Sequence, residues 1–303
     1  MPASKMTGLP DAVSSLVPDG SAVALWTAQE TLIPFAAGHE IIRQRIRGLT
    51  LIGPISDILF DQIIGAGCVD KIRAAWVGNV ITGSGYNFKR AVESGHITVE
   101  DHSILTLVTA FTAGKMGIPF MPTGTALGSD LYQTNPNLKT MVCPFTGRKL
   151  TAVRAIQPDV TIIHAQRCDE YGNAHVWGNM GITREACLAG RSVIVTAEEI
   201  VAPEVINSDP NRVVTPGFRV TAVVHAPWGA HPSPAPGHYN RDHRAFLEYR
   251  DASRTEEAFR RWLKKWVDDV RIPADYLRLL GKNRLRELAL KQHLFSEPVD
   301  YGY

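Results

Sequence analysis

Gly83-Ser84-Gly85, a single hydroxyl between two small residues, is the first candidate for chemistry. It follows an apolar run at 74–77 and precedes a helical pattern beginning near Asn87, so it occupies a strand-to-helix loop. Glycine lets a ligand approach backbone N–H groups, and a helix start favours an anion. Ser84 is therefore placed to hydrogen-bond a carboxylate. A tight turn with no ligand would use the same residues, and both readings stay open. The pattern is neither GxGxxG nor a phosphate loop ending in GK[ST], so nucleotide binding has no support.

Glu100-Asp101-His102-Ser103 is the densest ionisable cluster, at a second strand-to-helix junction. It could supply an acid, a base or substrate hydrogen bonds. Asp101 or Ser103 also suits the N-cap of the helix that follows, which is the favoured reading for those two. His102 is open. A third candidate is PDVTIIHAQRCDEYGNAHVWG at 158–178, where a buried strand at 160–163 runs into a polar loop carrying His164, Gln166, Arg167 and Asp169. α/β sheets place ligands at such strand ends. The ten histidines contain no HExxH or HxH grouping, and His225, His231, His238 and His243 fall in a proline-rich region, so a metal site is not expected. No G-x-S-x-G elbow exists for a serine hydrolase, and Cys143 beside a proline reads as structural.

The elements that must position these residues alternate along the first 230 or so. Residues 23–25, 49–52, 74–77, 118–121, 160–163, 193–196 and 220–225 read as strands. Helical periodicity occupies 34–46, 58–66, 88–94, 103–116 and 184–189. This alternation predicts an α/β fold with an open, largely parallel sheet. HPSPAPG at 231–237 predicts an extended surface turn. Residues 243–292 read as wholly helical, with Thr255 before Glu256 and Glu257 as a helix start. The expected division is an α/β domain over 1–240 and a helical C-terminal extension over 241–303 packed on it. Acidic and basic residues alternate in that extension, which makes it a solvated face rather than a nucleic-acid surface.

Bulk properties bound the partners. With 303 residues and a net charge of +2, the chain can bury a full core, and nothing draws it to nucleic acid or membranes. There is no 18-residue apolar run and no secretory-type N-terminus, and the four cysteines lie far apart without CxxC spacing. Reduced thiols in the cytoplasm are the expectation. These features describe an enzyme-like domain without a complete catalytic set, whose reactive group is expected on another chain.

At these residues the sequence resembles the α subunits of family I CoA-transferases, of the glutaconate CoA-transferase type. The resemblance covers nearly the whole chain: DGSAVAL, the SG of the 83–85 loop, GHITVED, GIPFMP, PDVTIIHAQ, VIVTAEEI, PGFRVTAVVHAPWGAHPS and WVDDVRIPADYLRLLG. It implies an active site shared with a β subunit, in a heterodimer or α2β2 assembly. A β-subunit glutamate would attack an acyl-CoA, and the displaced thiolate would then form a glutamyl-CoA thioester that passes CoA to a carboxylic acid. No catalytic residue is implied in this chain, no metal and no organic cofactor; coenzyme A is a substrate. Ser84 matches the family serine that contacts the substrate carboxylate.

Two departures reshape the implied pocket. Where the family has Gly-Gly-Phe after the first strand, this chain has Trp26-Thr27-Ala28, adding side chains where a backbone could approach a ligand. The family glutamine after the serine matching Ser103 is here Ile104, which removes an amide worth on the order of a few kcal/mol to a substrate oxygen. Alternatives are a CoA-thioester hydrolase or lyase of the same fold, and a non-catalytic scaffold.

Overall fold

The computed structural model describes residues 3–25, 27, 28 and 30–290. In chain order the elements are α1 (Leu9–Leu16), β1 (Ala22–Leu25), α2 (Phe35–Arg43), β2 (Leu49–Ile55), α3 (Asp57–Gly65), β3 (Val69–Trp76), β4 (Gly78–Asn79), β5 (Gly83–Ser84), α4 (Tyr86–Glu93), β6 (Thr98–Asp101) and α5 (Ile104–Met116). There follow β7 (Phe120–Thr123), α6 (Leu131–Thr134), β8 (Leu138–Val142), β9 (Lys149–Arg154), β10 (Val160–Cys168), β11 (Ala174–His175), α7 (Thr183–Ala189), β12 (Ser192–Ile200) and α8 (Pro203–Asn207). The chain closes with β13 (Val213–Thr215), β14 (Ala222–His225), α9 (His243–Ser253), α10 (Glu256–Leu263) and α11 (Pro273–Leu288).

Seven strands run parallel in the order β14-β12-β10-β1-β2-β3-β6. From β1 the chain builds outward in one direction through β2, β3 and β6, and later in the other through β10, β12 and β14. The strand order thus reverses beside β1, the place where open α/β sheets leave a crevice at their carboxyl ends. The fold is the expected α/β class. β10 pairs with β1 and β12 along its two edges and is buried on both faces of the sheet, which its run of Val160, Ile162 and Ile163 satisfies.

Four details differ from the sequence reading. The strand expected at 118–121 is β7, in a separate antiparallel sheet of order β7-β9-β8. β8 and β9 form a hairpin across 143–148, where Gly147 takes a φ of 67°. Second, β10 continues to Cys168, so His164, Gln166 and Arg167 belong to the strand and not to a loop. Third, 231–237 is buried rather than a surface turn. Prolines carry no N–H to satisfy, so such a segment can enter a core once its carbonyls and side chains find donors. Leu32 N donates to Pro234 O and Ile33 N to Ser233 Oγ, both at 3.0 Å. Fourth, 243–290 is helical but broken into pieces: Thr255 restarts the chain as the N-cap of α10, and α11 kinks at Gly281. The last two residues of the expected helical run lie outside the described residues.

The C-terminal helices join the principal core. Phe246, Tyr249, Phe259 and Val267 pack in the same cluster as Val23, Leu51, Phe60 and Ile63. Each such large apolar side chain, fully buried, contributes about 1.5–3 kcal/mol. A smaller cluster built on Leu107, Phe111, Leu138 and Val153 fastens the antiparallel sheet to α5.

Candidate functional site

Strand β3 ends at Trp76 and the chain at once doubles back as β4 and β5, pairing Gly78 with Ser84 and Asn79 with Gly83. Space dictates the glycines. A Cβ on Gly78 would sit 2.7 Å from Gly83 O, and one on Gly85 would lie 2.1 Å from Asp61 Oδ1. Gly85 is the N-cap of α4 but has no side chain to cap with, and Asp61 from α3 does that work: its Oδ1 accepts Phe88 N at 2.7 Å. Tyr249 OH donates to Asp61 Oδ2 at 2.6 Å, tying the loop to α9. Ser84 is half-buried in a crevice lined by Asp57, Ile58, Tyr86, Tyr249, Arg250 and Ser253.

Asp57 was not visible as a site residue in the sequence. It is the first residue of α3, directly after β2, with a left-handed φ of 45° and 1% exposure. Its Oδ1 accepts Ile58 N at 2.5 Å and its Oδ2 accepts Asn79 Nδ2 at 3.2 Å. Burial pushes its carboxyl up to about 6, against the pull of Arg241 and these hydrogen bonds. Asn79 in turn accepts Ile81 N at 2.9 Å and Thr82 N at 3.3 Å through Oδ1. Arg241 is buried over the Phe246 ring and pairs with Glu30 at 3.2 Å, while its Nε and Nη2 have no hydrogen-bond partner among the described residues. Glu30 and Leu32, in the loop after β1, also have left-handed φ values of 62° and 52°. Three strained residues thus gather at the carboxyl ends of β1 and β2. The one sequence signal was Ser56-Asp57 ahead of an apolar helix, which reads as an ordinary cap.

The other predicted residues stand at the same rim but not in the Ser84 crevice. Ser103 caps α5, accepting Thr106 N at 3.1 Å while Thr106 Oγ1 accepts Ser103 N at 2.9 Å. His102 is buried and both its ring nitrogens are engaged, Nδ1 with Thr106 Oγ1 and Nε2 with Glu100 and Asn135, each at 3.1 Å. Burial opposes the Glu100 charge, but His102, Lys71 and Arg73 together hold its carboxyl down to about 2. This cluster locks β3 to β6. Ile104 is exposed on the first turn of α5. Thr27 and Ala28 are buried, with Thr27 Oγ1 on Thr183 Oγ1 at 3.0 Å and Thr27 O accepting Ile182 N at 2.7 Å. Trp26 lies outside the described residues. Among the described residues no hydrogen bond joins these groups to the Ser84 loop.

At the carboxyl ends of β10 and β12 a different arrangement appears. His164 Nε2 meets Glu198 Oε1 and its Nδ1 meets Thr196 Oγ1, both at 2.8 Å. Glu198 also accepts Tyr239 OH at 2.6 Å and Trp228 N at 2.7 Å. Despite burial, these donors hold the Glu198 carboxyl below its usual range. The network is buried and its members are hydrogen-bonded to one another. A cavity of about 300 Å³, lined in part by Leu9, Phe35, Val224, Trp228 and Ile272, does not include Ser84 either. His39, Glu40, Arg43, His225, His231 and Tyr276 also line it, but Thr27, Ala28, Ser103 and Ile104 do not.

The comparisons with known proteins bear on this geometry. The family model for coenzyme A transferase matches residues 7–226. The chain is 42% identical over 262 residues to the α-type chain of 3-oxoadipate CoA-transferase from Pseudomonas knackmussii, covering 86% of this chain and 92% of that one. It is 34% identical to the α-type chain of glutaconate CoA-transferase from Acidaminococcus fermentans, covering 94% of each. The crystal structure of glutaconate coenzyme A-transferase from that organism superposes with a TM-score of 0.91 over 95% of this chain and 96% of that one. The decarboxylase AibA/AibB matches with a TM-score of 0.76 at 30% identity, over 86% of this chain and all of the matched one. The chain belongs to the coenzyme A transferase family, as the α-type chain of a heteromeric CoA-transferase.

Proposed function

We propose that this chain binds the free carboxylate of a dicarboxylic substrate at Ser84 and completes an active site with a β-type partner chain, in a heterodimer or α2β2 assembly. The observation that carries this reading is the rim itself. A half-buried serine hydroxyl, on a glycine-shaped loop at a helix start, faces a crevice in which the carboxylate Asp57 is sealed off from substrate. In this reading the nucleophile for the thioester comes from the β-type partner, as the family resemblance implies. The partner's glutamate attacks the acyl-CoA carbonyl and expels CoA thiolate, leaving an acyl-glutamyl anhydride. The thiolate attacks the glutamyl carbonyl, which releases the first acid and forms glutamyl-CoA. The acceptor carboxylate then repeats the sequence in reverse, so the exchange consumes no water and needs no metal or organic cofactor.

The relatives named for 3-oxoadipate and glutaconate, both dicarboxylates, support this substrate class. The relative at 42% identity is named for 3-oxoadipate and the one at 34% for glutaconate, which favours the 3-oxoadipate class. No described helix is long and apolar enough to cross a membrane, and a cytoplasmic location suits the four free cysteines.

Co-expression with the product of the neighbouring gene, then mass spectrometry after acyl-CoA treatment, tests the chemistry. A CoA adduct on one partner glutamate is the expected result. Free CoA and free acid accumulating without an adduct would make the complex a hydrolase instead. Ser84→Ala is expected to lower kcat/KM at least tenfold, about 1.4 kcal/mol, with assembly and thermal midpoint unchanged. An unimpaired variant would reduce the loop to a turn.

A further inference from the structure

We propose that Asp57 is a positioning residue for this site: by holding Asn79 it fixes the backbone on which Ser84 presents its hydroxyl to the substrate carboxylate. The inference rests on Ser84 as the carboxylate contact. Because an ionised Asp57 only accepts hydrogen bonds, it forces Asn79 to turn its Nδ2 toward α3. That leaves Asn79 Oδ1 facing the N–H groups of Ile81 and Thr82, the turn that delivers Gly83 and Ser84. The order is therefore carboxylate, amide, turn, hydroxyl.

Strain argues that this is more than a helix start. A left-handed φ at a non-glycine costs about 1–3 kcal/mol, whereas helix caps adopt extended backbone without that cost. Asp57 is one residue past the N-cap and buried besides. Charged and titratable groups face it or its crevice from three sides: Glu30 from the loop after β1, Arg241 ahead of α9, and Tyr249 and Arg250 from α9. Arg241 keeps two nitrogens without a hydrogen-bond partner among the described residues, so the cluster is held in place without being internally saturated. With its carboxyl raised to about 6 by burial, Asp57 takes a proton in mild acid and can no longer accept from both N–H groups.

The test uses the complex with its β-type partner. In Asp57→Asn the introduced amide nitrogen opposes Asn79 Nδ2, donor against donor, and the KM for the acceptor acid is expected to rise about tenfold with kcat within threefold. Exchanging the two groups in Asp57→Asn/Asn79→Asp restores donor to acceptor and should return KM to within twofold of the parent. Asn79→Ala should reproduce the KM defect, which keeps the test open if Asp57→Asn does not fold. In the parent, acceptor KM should climb as pH falls below about 6, and Asp57→Asn should abolish that dependence. A normal KM in Asp57→Asn beside an impaired Ser84→Ala overturns the positioning role and leaves the site intact. Normal kinetics in both overturn site and inference together. A fall in thermal midpoint alone, or a defect that the exchange does not rescue, also removes the proposed role.

Discussion

The two halves of the sheet both bury titratable groups at the carboxyl ends of strands, yet they do opposite things with them. On the β10–β12 side, Glu198 accepts from His164, Tyr239 and Trp228 and every member of the network is satisfied. On the β1–β3 side, Asp57 has a left-handed backbone, Arg241 keeps nitrogens without a hydrogen-bond partner among the described residues, and the cluster borders the Ser84 crevice at Asp57. Saturation makes a strut. Trp228 in that strut also has a left-handed φ of 62°, so it is the incomplete pairing that sets the Ser84 side apart as the place open to a ligand.

The comparison can be broken most forcefully at Glu198. Glu198→Ala leaves His164, Tyr239 OH and Trp228 N buried without their acceptor, and should cost about 3–5 kcal/mol in chemical denaturation. Acceptor KM per folded molecule should stay normal; a raised KM would make the closed network part of the site. A smaller effect is expected at Gly85→Ala, whose Cβ would collide with the Asp61 carboxylate. Overpacking of this kind costs about 1–3 kcal/mol. Because Asp61 caps α4 beside Ser84, this variant should lose stability and acceptor affinity together, in contrast to Glu198→Ala.

The finest distinction is in pH. Asp57 is raised from 3.8 to about 6, so its contribution to stability is fully present below pH 3.8 and is lost as pH rises through 6. Glu198 is depressed, so its contribution is present above pH 4.5 and is lost as pH falls below that value. Urea titrations from pH 4 to 7 should show the advantage of the parent over Asp57→Asn shrinking as pH rises, by up to about 1.4 kcal/mol per unit within the window. Its advantage over Glu198→Gln should instead shrink toward acid. Parallel curves would erase the contrast between the two halves.

How much of this was legible depends on the range of each signal. Val23, Leu51, Ile72 and Ile162 announce buried strands because the covered faces of a parallel sheet demand apolar side chains, and Ser103 announces a cap because its partner is three residues away. Local physics suffices there. The strands β8 and β9 were missed because β8 is mostly exposed and in both strands apolar residues are interspersed with Lys, Thr and Arg, which blurs the apolar signal. HPSPAPG read as a surface turn because its donors, Leu32 and Ile33, lie some two hundred residues away.

The sequence by itself determined an open parallel α/β sheet, the serine between glycines at a strand-to-helix junction, and the family. Each of these follows from residues close together in the chain or from a long ordered match. Only the tertiary structure decided what surrounds that serine. It seated Asp57 from the start of α3, Asn79 from β4 and Arg241 from far down the chain within one buried cluster, and it enclosed His102 and His164 in packing networks. The physical reason is that burial and charge pairing belong to positions in space. A lone aspartate before an apolar helix carries no local sign of either.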